Sequence, residues 1–138
     1  MATAIAARSI RGHGALVVAA MGDPDTYPDP PDAVEVVETH GSWVFLAGAR
    51  AYKVKKPVVL SFLDYGTLER RRALCHEEVR LNRRLAPRIY LGAAALVRRP
   101  GGFALVPDDS SVGEDAIEFA VEMRLFADGD TLAAQWRR

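Results

Sequence analysis

The chain lacks the residues that several chemistries would require. It has a single cysteine, Cys75, in 138 residues. That excludes an intramolecular disulfide and a cysteine-built metal cluster, and it fits a reducing, cytoplasmic setting. No apolar run reaches the length of a membrane span. The apolar stretch from Ala15 to Met21 follows Arg8, Arg11 and His13 but is short, and Gly22-Asp23-Pro24-Asp25 after it is no small-x-small cleavage site. Neither sign of charge is in excess. Eighteen basic and eighteen acidic side chains cancel, which argues against a nucleic-acid partner and leaves room only for a local basic patch. Asp23, Asp25, Asp29 and Asp32 are close in sequence, but prolines interrupt them and their spacing is not that of a calcium loop. Lysine is scarce in a chain rich in arginine, and the three lysines fall together as Lys53, Lys55 and Lys56.

What is present suffices for one domain. At 49% hydrophobic and 26% charged residues the chain can build a core. Its composition divides it into residues 1–31, an N-terminal helix with a Pro/Asp-rich linker, and residues 32–138. Gly14 to Met21 reads as a short helix stopped by Gly22 and Pro24. Ala33–Thr39, Trp43–Leu46 and Ala51–Lys55 read as three short strands of a meander. In the third, Tyr52 and Val54 alternate against Ala51, Lys53 and Lys55. Thr67–Leu85 reads as the long helix, N-capped by Thr67 and ended by Pro87. Ile89–Val97 and Phe103–Val106 flank the turn Arg99-Pro100-Gly101-Gly102, Phe119–Arg124 is a further strand, and a last helix starts near Leu132. The pattern is α+β: an antiparallel sheet of about five strands with one main helix packed on it, plus a short N-terminal helix.

On the long helix Leu74, Glu78, Leu81 and Leu85 share one stripe, while Glu77 points aside toward Arg80 and Arg84. A carboxylate on a buried stripe needs a partner. Lys53 or Lys55, on one face of the third strand, would supply it. The plainer reading is a Glu at the helix edge that reaches water, and strand lysines on a solvated face.

The order of meander, Ala-x-Lys strand and helix with an inward Glu resembles the small lobe of the protein-kinase-like fold. Glu38-Thr39-His40-Gly41-Ser42-Trp43-Val44-Phe45-Leu46, Ala51-Tyr52-Lys53-Val54-Lys55-Lys56-Pro57-Val58, Phe62 to Arg72 and Glu77 to Pro87 resemble one branch of it. That branch is the aminoglycoside-phosphotransferase-like domain of bacterial two-part proteins that also carry a P-loop ATP-binding domain. The likeness runs from about Asp32 to Leu132. It implies that residues 32–138 are a kinase-like small lobe ending just after the hinge. Lys53 would contact ATP phosphates and Glu78 would hold Lys53. The turn His40-Gly41-Ser42 would lie over the phosphates, and Ala51 would pack on the adenine. Val121-Glu122-Met123-Arg124 would be the strand leading to the hinge, which brings Glu122 and Met123 to the nucleotide. Lys55 and Lys56 stay as phosphate or surface contacts.

The departures from that family are large. Phosphoryl transfer needs a catalytic-loop Asp, an Asn and a second Asp for magnesium. No His-x-Asp, Asp-Phe-Gly, Gly-x-Gly-x-x-Gly or P-loop pattern occurs here. The expectation is an ATP-binding half that is inactive alone, with magnesium's ligands missing, pairing with a large-lobe or P-loop chain or with itself. The alternative is a non-catalytic interaction module. Cys75 is expected to be a small packing residue of the helix. The Arg70–Arg72 and Arg83–Arg84 clusters are expected to be a solvated face, or else a docking surface for anions.

Overall fold

A computed structural model describes residues 2–60 and 63–125. The last expected helix and the turn before it lie outside these residues. Three strands open the sheet as a meander: β1 (Val34–Glu38), β2 (Ser42–Ala47) and β3 (Arg50–Lys55). Gly48, at φ 61°, makes the tight β2–β3 turn in a backbone region that costs a side chain strain. Next come a small hairpin of β4 (Val59–Leu60) and β5 (Leu63–Asp64), which hydropathy alternation had not marked, and the helix α2 (Leu68–Asn82). The chain then adds β6 (Tyr90–Arg99), β7 (Gly102–Pro107) and β8 (Ala116–Arg124). β8 inserts between β3 and β6, giving a six-stranded antiparallel sheet in the order β1-β2-β3-β8-β6-β7. The fold is therefore α+β as expected, with one strand more in the main sheet than the five anticipated.

The N-terminal helix, α1, runs from Ala2 to Gly22, much longer than Gly14 to Met21. The helix passes through Gly12 and Gly14. Gly14 serves packing here: a Cβ on it would lie 3.2 Å from Trp43 Cζ2, so glycine lets the helix settle against the indole. Val17, Ala20 and Met21 of α1 join Trp43, Phe45, Tyr52, Val54, Leu96 and Ala120 in one apolar layer. The proline-rich stretch is also tied down. Asp23 caps a 3-10 turn over Pro24–Thr26. The Thr26 hydroxyl donates to Ala20 O and the Tyr27 hydroxyl to Met21 O, covering carbonyls that the end of α1 leaves open. The Tyr27 ring tilts against Tyr52 at 5.2 Å.

The opposite face of the sheet carries α2. Alternation along the strands puts Val44, Leu46, Ala51, Phe119, Val121 and Met123 on this side, packed with Cys75 and Val79 of the helix. Thr67 caps α2 by accepting from Arg70 N at 3.2 Å. The helix is rotated relative to the expected leucine stripe. Arg71, Cys75 and Val79 are its buried residues, whereas Leu81 is 46% exposed and Leu85, beyond the helix end, 89% exposed. Helical spacing finds a stripe but not which stripe faces the sheet. Here small Cys75 and Val79 allow close approach while Arg71 finds a buried carboxylate, so Leu81 turns outward and Leu74 and Glu78 of the same stripe are half-buried. Among the described residues no helix is long and apolar enough to cross a membrane.

Candidate functional site

The site forms where β3 passes beside α2. Period-two alternation sends Lys53 and Lys55 to the same face, and α2 brings Glu78 to both. Lys55 Nζ donates to Glu78 Oε1 at 2.6 Å, and Lys53 Nζ lies 3.5 Å from Glu78 Oε2. The helix carboxylate is thus inward, and it pairs with both strand lysines rather than with Lys53 alone. Lys55 is the buried partner, its side chain 4% exposed, against 31% for Lys53. Burial pulls the Lys55 pKa down, but the hydrogen bond and charge of Glu78 outweigh it and the net shift is upward. Tyr65 places its ring 5.3 Å from the same ammonium. Cys75, next to this group and fully buried, packs in the apolar cluster under α2, and desolvation pushes its thiol up to about 12. Lys56 belongs elsewhere: it meets Glu38 at 2.8 Å and lies over the Trp43 ring.

The turn His40-Gly41-Ser42 stands at the same end of the sheet. Ser42 is opposite Lys55 in the β2–β3 register, and Gly41 O accepts from Lys56 N at 2.8 Å. Thr39 closes the turn through its hydroxyl, which donates to Ser42 O and accepts from Ser42 N. His40 is exposed and Ser42 buried. Ala51 and Met123 face each other across β3 and β8 and are both buried in the apolar layer under α2. Glu122 is not on this face: it stands opposite Tyr52, 3.5 Å from Arg50, in a cleft of about 360 Å³ walled by Pro28, Pro30 and Pro31. Lys53, Lys55, Glu78 and the turn therefore gather at one end of the sheet, Ala51 and Met123 pack further along the same face, and the Glu122 carboxylate lies behind it.

Two further polar centres escaped sequence reasoning. Glu118 is completely buried, and β8 extends there past its pairing with β3, which runs to Val54↔Ala120. Arg71 Nε donates to both oxygens at 3.1 Å, Phe119 N donates to one, and His13 Nε2 lies 2.8 Å from Oε2. Arg71 also donates to Tyr65 O at 2.9 Å, which anchors the segment leading into α2. Asp108, in the loop after β7, receives Arg72 in a two-bond clasp at 2.7 and 2.9 Å, with His76 Nε2 at 2.6 Å. Arg83 donates to the carbonyls of Tyr90 and Leu91. So the arginine clusters are not uniformly a solvated face. Arg71, Arg72 and Arg83 hold the helix to the sheet, and Arg80 pairs with Glu77 as expected. The available signal for Glu118 was a lone acid inside Ile117-Glu118-Phe119-Ala120-Val121; Asp108 had none.

The described residues show no buried side-chain nitrogen or oxygen without a partner, and no group of three His, Cys, Asp or Glu that could hold a metal ion. No protein-family model matches the chain, and no solved structure does. It is 51% identical over 71 residues to "Uncharacterized protein Mb2027c" of Mycobacterium bovis and, to the same extent, to "Uncharacterized protein Rv2004c" of Mycobacterium tuberculosis. The matched stretch is 51% of this chain and 14% of each relative, so the chain spans a small part of the length of the relatives it matches.

Proposed function

We propose that this chain is the nucleotide-binding half of an aminoglycoside-phosphotransferase-like kinase, taking ATP and working in the cytoplasm. The observation that carries the reading is the meeting of strand lysines and a helix carboxylate: Lys53 and Lys55 of β3 with Glu78 of α2. An ammonium held by a carboxylate is pre-positioned for phosphate oxygens without ordering cost when the ligand arrives. The His40-Gly41-Ser42 turn, at the same sheet end, offers backbone to the phosphates, and the strand β8 beside β3 leads toward the adenine edge. The chain's residues would bind and orient the nucleotide. The catalytic Asp and magnesium ligands of such enzymes have no counterpart among the motifs present here, and a large-lobe or P-loop domain would supply them. Calorimetric titration with ATP tests this. Binding that is lost in Lys53→Ala and weakened in Glu78→Gln is expected; binding that Lys53→Ala leaves unchanged overturns the role of Lys53.

A second reading, a non-catalytic interaction module, is favoured by the exposed leucines Leu81 of α2 and Leu85 just past its end. Light scattering on purified protein separates the two. A strictly monomeric chain that binds ATP leaves the interaction reading without support.

A further inference from the structure

We infer that the two strand lysines divide the work at Glu78: Lys55 is the positioning residue that holds the carboxylate, and Lys53 is the cation that meets an anionic ligand. The nature of that ligand, a polyphosphate, rests on the nucleotide reading above; the division itself rests on geometry. The Lys55 bond to Glu78 is short at 2.6 Å and its side chain is almost wholly buried, whereas Lys53 stands at 3.5 Å, the outer limit of a hydrogen bond, with an accessible side chain. Tyr65 lies over the Lys55 ammonium at 5.3 Å. Lys56, the last lysine, is paired with Glu38 and stacked on Trp43.

Charge counting then points at the ligand. Two ammoniums share one carboxylate, so the trio carries one net positive charge in a half-buried place. Such a charge is costly until an anion meets it. With Glu78 satisfied by Lys55, its pull on Lys53 is weaker, and Lys53 can turn to a phosphate without leaving the carboxylate bare. A single lysine facing a single glutamate would have to choose between the two.

The experiment has a part without ligand and a part with it. Double-mutant cycles on the folding of the full chain, with Lys55→Met, Lys53→Met and Glu78→Gln, should give a coupling of about tenfold or more in the folding constant for Lys55 with Glu78, and only about twofold for Lys53 with Glu78. Lysine side-chain NMR during titration with ATP should show the Lys53 resonances moving and those of Lys55 staying. In Lys55→Met, Glu78 should pair with Lys53, slowing proton exchange at its ammonium and lowering ATP affinity about tenfold, and Lys55→Arg should restore both. A larger Lys53–Glu78 coupling, or Lys55 resonances that move with ATP as far as those of Lys53, overturns the inference. So does a Lys55→Met protein with unchanged Lys53 exchange and affinity. If the native chain binds no ATP, the nucleotide reading fails while the cycles and the Lys53 exchange still decide the division. If Lys55→Met does not fold, the NMR titration of the native chain decides it.

Discussion

The two faces of the sheet hold their helices by different physics. Toward α1 the contact is mainly apolar: Val17, Ala20 and Met21 lie on Trp43, Phe45 and Tyr52, Gly14 serves closeness to an indole, and His13 adds a polar contact to Glu118 at 2.8 Å. Toward α2 there is an apolar layer as well, in which the helix places Cys75, Val79 and Leu68, but charged contacts are added to it. Those charged contacts are Arg71 on Glu118, Arg72 and His76 on Asp108, and Lys53 and Lys55 on Glu78. Burial of apolar area is non-directional and tolerates substitution of similar volume. Paired charges are directional and orient the helix about its axis. The side of the sheet where orientation matters is the side that gathers the candidate site.

Substitutions can break this contrast. The largest effects are expected in the core and at the buried carboxylate. Phe45→Ala, in the α1 layer, should cost about 3–5 kcal/mol of folding stability in a denaturant titration. Glu118→Ala should cost about as much, roughly 3–5 kcal/mol, because it strands a buried guanidinium. The discriminating variant is the pair Glu118→Leu with Arg71→Met, which should recover most of that loss. If the double variant is no better than the single, the α2 face depends on packing after all.

A smaller effect separates the faces by pH. The folded-state pKa of Lys55 lies above its ordinary value, owing to Glu78 overcoming desolvation. Its contribution is therefore complete below the unfolded lysine pKa, about 10.4, and is lost as pH rises through the higher folded value. Native protein should lose stability over that alkaline window more steeply than Lys55→Met, as followed by midpoint against pH. Cys75, with its thiol pushed up to about 12, should resist a thiol reagent at pH 8 in the folded protein and react once denaturant is added. Fast labelling of folded protein would contradict the close packing of α2 on the sheet. The smallest effect is at the surface: Glu77→Ala removes the exposed pair with Arg80 and should leave the unfolding midpoint unchanged within error.

Much of the architecture is legible in the sequence. Alternation in Ala51–Lys55 correctly put Lys53 and Lys55 on one face, Thr67 and Pro87 bracketed the helix, and Glu78 stood out as a carboxylate needing a cation. The errors have physical causes. The expected stripe holds at Glu78 and departs at Leu81 and Leu85, which are exposed, because 3.6-residue periodicity is blind to which side the sheet lies on. Arg71 looked solvated because its partner, Glu118, is forty-seven positions away. The N-terminal helix begins before the expected Gly14, and the packing role of that glycine at Trp43 cannot be seen from its sequence neighbours.

Local chemistry, then, was set by sequence alone: the strand periodicity, the turns at Gly48 and Gly101, the helix cap, the inert count of one cysteine and the clustering of three lysines. These depend on neighbours within a few residues, where sterics and hydrogen bonding act directly. The tertiary structure decided which lysine is buried on Glu78, which arginines are internal, and that β8 enters between β3 and β6. Those outcomes depend on burial and on charges brought together from far along the chain, and desolvation exists only once the fold has excluded water.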